Sequence, residues 1–214
     1  MLTVIISCIL GGLVVLGGEL LRKRGSVSNE TSRKLTHMAH GLVVASWCYG
    51  VGYGWIIAAE VVFLISVVAA RRLGLFKAMR QVNRSSWGDV LFPLAVIAIA
   101  ATNPSNILFA ATLVILGLAD GLAALVGQNI KSYHYKAFNQ DKSLAGTATF
   151  WIVSFLVTYL VLIKSGVRVN DISTIFVLVT IPSILSFMEN VSPYGTDNFT
   201  VPLMTMLLLS QTIG

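Results

Sequence analysis

The chain has 214 residues, 56% of them hydrophobic and 11% charged, and its mean hydropathy is +0.81. A soluble domain carries about 25% charged residues to cover its surface, so this composition excludes an ordinary water-exposed globule and implies a surface that faces lipid. The net charge of +6 does not mark a nucleic-acid binder, because the basic residues sit in short loops beside apolar runs, which is a topological signal.

Eight apolar stretches follow one another: 2–21, 35–50, 53–70, 89–102, 106–127, 144–163, 172–188 and 199–213. They predict an all-α polytopic transmembrane bundle of about eight (seven to eight) spanning helices, folded as one integral membrane domain over 1–214. A perpendicular span needs about 20 residues, so the second, fourth and eighth stretches read as helices that start in a polar cleft or cross incompletely. Gly50-Val51-Gly52-Tyr53-Gly54 and Asn103-Pro104-Ser105 read as tight turns. Cys8 and Cys48 lie within apolar runs and read as small buried hydrophobes. The start Met1-Leu2-Thr3 has no basic region, and Arg22-Lys23-Arg24 follows the first run. That order predicts a retained first helix with its N-terminus outside, in a prokaryotic plasma membrane.

Basic residues alternate in the same sense. Arg22, Lys23, Arg24, Arg33 and Lys34 follow the first run, Arg71, Arg72, Lys77, Arg80 and Arg84 the third, and Lys131, Lys136 and Lys142 the fifth. The intervening loops hold Lys164 and Arg168. The positive-inside rule places the first three groups in the cytoplasm and both termini outside. The sequons at Asn29, Asn83, Asn190 and Asn198 fall on the cytoplasmic side and are expected to stay unglycosylated.

The remaining polar residues gather on that side in five clusters. In Ser32-Arg33-Lys34-Leu35-Thr36-His37-Met38-Ala39-His40-Gly41, helical spacing puts Arg33, His37 and His40 on one face. The cluster is either a phosphate-facing site or a juxtamembrane anchor of snorkelling cations. A zinc site is not indicated, since no cysteine or third histidine stands nearby. In Ser86-Trp87-Gly88-Asp89, the carboxylate is either a helix N-cap or a site member. The third cluster, Gly117 to Gly127, places Asp120 about two turns inside its helix end, where an unpartnered carboxylate costs roughly 2–3 kcal/mol or more. Gly117, Asp120, Ala124 and Gly127 follow helical spacing as a small-residue face, which packing explains for the glycines but not for the aspartate. Asp120 is therefore a candidate Mg²⁺ ligand. In Asp141-Lys142-Ser143-Leu144-Ala145-Gly146-Thr147, Ser143 or Asp141 caps a helix whose free N–H groups, with Lys142, form a candidate phosphate site. No Walker A loop occurs. The fifth cluster, Glu189 to Asn198, frames a Pro/Gly turn with carboxylates and contains no Lys or Arg; it is a candidate cation site or a polar loop.

The ordered set Arg33-Lys34-x-x-His37, Asp120-Gly121-x-Ala123-x-x-x-Gly127, Lys142-Ser143-x-Ala145-Gly146 and Glu189…Asp197-Asn198-x-x-x-Pro202 resembles the dolichol kinase/phytol kinase family of membrane lipid kinases, from about residue 33 to 203. The resemblance implies transfer of a nucleotide γ-phosphate, typically from CTP, to a lipid alcohol with Mg²⁺ as cofactor. It implies nucleotide binding by Arg33, Lys34, Asp120, Gly121, Ala124, Gly127, Lys142, Ser143 and Gly146. Glu189, Asp197 and Asn198 match the family's C-terminal acidic motif, and Arg33, Lys34 and His37 its N-terminal one. The needs of phosphoryl transfer then make Asp120, Glu189, Asp197 and Asn198 the candidate metal ligands. They make His37, Asp120 and Asp197 the candidate catalytic residues, with the base open between His37 and a carboxylate. After Gly127 many members have a basic residue and a second glycine, whereas this chain reads Gln128-Asn129-Ile130-Lys131-Ser132, which leaves CTP, UTP and ATP open. The expected partners are a nucleoside triphosphate and a membrane lipid alcohol, with no nucleic acid; a homo-oligomer is compatible. Competing readings are a CTP-dependent diacylglycerol kinase, a cytidylyltransferase or CDP-alcohol phosphotransferase whose further aspartates are absent here, and a small transporter using Glu60 and Glu19.

Overall fold

The computed structural model describes residues 2–24, 28–73, 87–138 and 140–213. The expectations placed on Lys77, Arg80, Asn83, Arg84 and Ser86, and on the side chains of Cys8, Arg22, Lys23 and Asn29, lie outside the described residues. Eight helices are present among the described residues: α1 (Leu2–Lys23), α2 (Asn29–Trp47), α3 (Tyr53–Arg72), α4 (Gly88–Ala101), α5 (Asn106–Asn129), α6 (Leu144–Lys164), α7 (Ile172–Val191) and α8 (Asp197–Ile213). Four of them, α3, α5, α6 and α7, are long and apolar enough to cross a membrane; α4, with 14 residues, is shorter.

Local signals explain the helix ends. Ser28 caps α2 by accepting from the Thr31 N–H, Ser105 caps α5, and Ser143 caps α6 by accepting from the Gly146 N–H at 3.1 Å. At the far end of α6, Gly166 adopts φ +75°, and the N–H groups of Gly166 and Val167 satisfy the last-turn carbonyls of Ile163 and Leu162. Asp89 is not the N-cap of α4. That position belongs to Trp87, which makes no side-chain cap bond, and Asp89 sits in the first turn.

Two features depart from a plain helical bundle. The segment before α6 forms an antiparallel hairpin of β1 (His134–Ala137) and β2 (Gln140–Ser143), with Tyr135 opposite Lys142 and Ala137 opposite Gln140. Its residues carry no apolar alternation, so the all-α expectation missed it. In α5, residues Ile115–Ala119 form a π-helical turn immediately before Asp120, which shifts the helical register at that point.

Helix α5 is the centre of the bundle and touches α2, α4, α6 and α8. Two-thirds of its apolar window is buried, against 17% for the peripheral α3. On one side Val44, Ile56, Phe92, Ile99, Phe109 and Leu113 pack α2 to α5 together; on the other Ile115, Phe150, Leu185, Val201 and Leu209 pack α5 to α8. The outward faces carry exposed apolar side chains such as Leu13, Leu16, Ile65, Leu156 and Phe176, as lipid contact requires.

In lipid, helix association rests on close van der Waals contact more than on water exclusion, and small residues permit it. A Cβ on Gly41 would lie 3.1 Å from the Gly117 Cα, so α2 and α5 cross almost backbone to backbone there. A Cβ on Gly146 would stand 2.9 Å from the Ala123 carbonyl oxygen, so α6 lies equally tight on α5. Gly146→Ala is expected to destabilise the bundle by about 1–3 kcal/mol. Gly12→Ala, where nothing lies within 4 Å, should leave the melting temperature in detergent unchanged or raised; thermal unfolding of the two variants measures the contrast.

Candidate active site

Five elements meet at the end of the bundle where α2, α4 and α8 begin and α5 and α7 end. From the first half of the chain, Lys34 on α2 donates to both carboxylate oxygens of Asp120 on α5, at 2.7 and 2.6 Å, and both side chains are buried. From the second half, Lys142 on β2 donates to the Glu189 carboxylate in the last turn of α7, and its Nζ also lies 3.4 Å from the Glu189 carbonyl oxygen. Asp197 and Asn198 open α8 across the turn Pro193–Gly195. One carboxylate oxygen each from Asp120, Glu189 and Asp197 lies within 4.8 Å of the others. Three residues from three helices thus converge, separated in sequence by up to 77 positions.

The electrostatics of that convergence are demanding. Two like unit charges at 4.8 Å repel by about 3 kcal/mol at an effective dielectric constant near 20. Two of the three carboxylates are neutralised by lysines. Among the described residues no lysine or arginine ion pair reaches Asp197, and its Oδ1 is buried without a hydrogen bond. The Oδ1 of Asn198 is likewise buried and unpartnered, while its Nδ2 donates to the Gly195 carbonyl at 3.3 Å. Unsatisfied oxygen acceptors beside a net negative cluster are of the chemical kind that could hold a hard divalent cation. Burial disfavours the charge on Lys142, but the adjoining Glu189 carboxylate outweighs it and holds the ammonium above the ordinary lysine range. Lys142 therefore stays cationic at neutral pH.

The two histidines of α2 share Phe92 but turn to different partners. His37 sets its ring edge-on to Phe92 at 4.8 Å, and its buried Nε2 has no hydrogen bond; Asp120, Lys34 and Arg33 are near enough to act on it electrostatically. His40 stacks on Phe63 at 4.5 Å and points its Nε2 toward Glu60 of α3, 3.6 Å away. The contact is longer than a hydrogen bond, and among the described residues both Glu60 oxygens and both His40 nitrogens are buried without a hydrogen-bond partner.

The small residues have packing duties. Met38 fills the space a Cβ on Gly121 would take, and Gly127 and Gly146 face each other with the Ser143 hydroxyl beside them. Ala124 is half-buried on the same helix. The start of α6 is not an open anion site. The N–H groups of Leu144, Ala145 and Gly146 donate to the Tyr133 carbonyl, the Ser132 hydroxyl and the Ser143 hydroxyl. Lys142 is left as the positive group at that end.

Sequence reasoning missed the contacts that hold the hairpin against α6 and α7. The Tyr135 hydroxyl lies 2.5 Å from Thr147 Oγ1 and donates to Asn190 Oδ1 at 2.7 Å, and the Gln140 side chain donates to the Ser192 carbonyl at 2.8 Å. Tyr135 is the cross-strand neighbour of Lys142, so this anchor sets where the lysine stands. Its signal in the sequence was no more than an alternation of polar types.

The Lys34–Asp120 contact alters what a single substitution reports. Asp120→Ala strands a buried ammonium and is expected to cost about 3–5 kcal/mol. The double variant Lys34→Met/Asp120→Leu should recover most of that stability. Chemical or thermal unfolding in detergent distinguishes them; equal destabilisation by the two would show that the pair is not a buried charge match.

No family model matches the chain, and no solved structure matches it. It is similar to a phytol kinase of Synechocystis sp., 33% identical over 202 residues, a match that covers 92% of this chain and 85% of that protein. With its helices and its converging lysines and carboxylates, the chain belongs to the dolichol kinase/phytol kinase family, phosphotransferases with alcohol acceptors.

Proposed function

We propose that the protein is a lipid kinase that transfers the γ-phosphate of CTP, or of another nucleoside triphosphate, to an isoprenoid alcohol of the phytol or polyprenol kind. The single observation that carries this reading is the meeting of Asp120, Glu189 and Asp197 within 4.8 Å, flanked by Lys34 and Lys142. Phosphoryl transfer needs charge neutralisation and alignment more than covalent chemistry by the protein.

In this reading Asp120, Glu189, Asp197 and Asn198 hold Mg²⁺, a role supported by the unpartnered Oδ1 atoms of Asp197 and Asn198. Magnesium, when bound, neutralises charge on the phosphate oxygens. Lys34 and Lys142 turn from carboxylate to phosphate when the nucleotide arrives, and Arg33, one residue before Lys34, adds a further positive charge. Gly121, Ala124, Gly127, Ser143 and Gly146 contribute by fixing the two helices that carry Asp120 and follow Lys142. The acceptor oxygen attacks the γ-phosphorus, the bond from that phosphorus to the bridging oxygen breaks, and the nucleoside diphosphate leaves with the electron pair. The acceptor proton passes to a base, for which the unpartnered Nε2 of His37 is our candidate.

The basic loops put the site at the cytoplasmic face of the plasma membrane with the N-terminus outside, and the eight helices then form the span. The lipid tail stays among the helices while its hydroxyl meets the carboxylates.

A purified-protein assay crossing CTP, UTP, ATP and GTP with phytol, geranylgeraniol, a polyprenol and diacylglycerol tests the proposal. CTP with an isoprenoid alcohol should give the highest kcat/KM. Asp197→Asn and Lys142→Ala should each lower kcat/KM by about 10²-fold or more; transfer at the wild-type rate in both would defeat the site assignment. Cysteines placed at Tyr133 and at Val167 should react with an impermeant maleimide from opposite sides of sealed vesicles, with Tyr133 on the cytoplasmic one. Labelling from the same side would overturn the orientation.

A further inference from the structure

The sequence Trp87-Gly88-Asp89 has no part in the proposed chemistry, yet it joins the turn before Asp197 to the end of α3. Arg71, in the last turn of α3, grips Asp89 in the first turn of α4 with two donors: its Nε–H donates to Oδ2 at 2.9 Å and its Nη2 meets Oδ1. The same guanidinium lies 5.0 Å over the ring of Trp87. Two parallel charge-assisted bonds plus a cation–π contact fix the plane of the guanidinium, and with it the residue that precedes α4.

Trp87 in turn holds the acidic turn. Its main-chain N–H donates to the Tyr194 carbonyl at 2.8 Å. Tyr194 has φ +56° and Gly195 φ +84°. A non-glycine residue in the left-handed region is strained and persists where its surroundings hold it. These two residues reverse the chain between Glu189 at the end of α7 and Asp197 at the start of α8, so their conformation sets the separation of the two carboxylates. The side chain of Asn198 is tied to the same turn through the Gly195 carbonyl.

We propose that Arg71 is a positioning residue for the carboxylate cluster, acting through Asp89, Trp87 and the main chain of Tyr194. The proposal rests on the reading of Asp120, Glu189 and Asp197 as cation ligands. Neither Arg71 nor Asp89 supplies a ligand; their pairing holds the turn at the separation the cation needs. Outer partners of this kind typically change metal affinity by about 10–100-fold when removed.

Direct binding of Mn²⁺ to the full-length protein in nanodiscs, read by electron paramagnetic resonance of the free ion, tests this apart from activity. Arg71→Gln and Asp89→Asn should each weaken Mn²⁺ binding at least tenfold. Arg71→Lys, which keeps the charge but loses the fork, should fall in between. The double variant Arg71→Gln/Asp197→Asn should bind no more weakly than Asp197→Asn alone, because both changes act on one ligand set. Wild-type affinity in Arg71→Gln and Asp89→Asn, with weakened binding in Asp197→Asn, would overturn the positioning role and leave the cation reading intact. Fully additive losses in the double variant would mean that Arg71 supports the whole fold, and would equally overturn it. Unchanged binding in Asp197→Asn would remove the cation reading and this proposal together.

Discussion

Charge inside an apolar bundle has to be matched group by group, and the contact between Lys34 and Asp120 is where this chain meets that requirement. Removing two ions from water costs several kcal/mol each, and their attraction offsets this cost when the geometry is good and the remaining hydrogen-bonding capacity is used. Lys34 meets both oxygens of Asp120 at 2.7 Å or less, and Lys142 donates to one carboxylate oxygen of Glu189. Asp197 is left over. A cluster built as two matched pairs plus one extra carboxylate keeps most of its charge matched and is short of one positive charge, the deficit that the proposed cation would fill.

The scaffold is arranged so that these groups have little freedom to drift. Helix α5 carries Asp120 and forms the common wall of both cores. Gly41 against Gly117 and Gly146 against Ala123 bring α2 and α6 onto it at backbone distance. The π-helical turn just before Asp120 changes the direction in which the following residues project. Pro202 of α8 has no N–H for the carbonyl of Asn198, so a main-chain acceptor is left over beside the side chains of the acidic turn.

Residues that stand together in a motif turn out to do different work. In Lys142-Ser143-Leu144-Ala145-Gly146 the lysine supplies charge, the serine caps α6, the Ala145 N–H goes to Ser132, and the glycine lets α6 approach α5. The helix end expected to cradle phosphate has its first donors engaged, so in the proposed reading the lysine side chain is what attracts the anion. That division also explains why the hairpin matters. It is held by Tyr135 and Gln140 on α6 and α7, and a long flexible lysine delivers its charge to one place when its backbone is held at both sides.

The sequence by itself determined the eight helices, most of them nearly to their ends, although the run read as 35–50 is Asn29–Trp47 and starts six residues earlier. The run read as 53–70 is Tyr53–Arg72, that read as 144–163 is Leu144–Lys164, and 199–213 is Asp197–Ile213. An apolar run of helical length in a chain so poor in charge has few other conformations open to it. The polar residues of the site were legible for the same reason, since ionisable groups near apolar helices are rare enough to stand out. Tertiary structure alone decided their partners. Lys34 and Asp120 lie 86 residues apart, and their pairing follows from where α2 crosses α5, a packing outcome of Gly41 and Gly117. Asp89, read as a cap or a site member, faces Arg71 because α3 and α4 run side by side. The four-residue strands of the hairpin, the π-helical turn and the bond from Trp87 to the Tyr194 carbonyl have no local signature: each exists because distant segments are already in place around it.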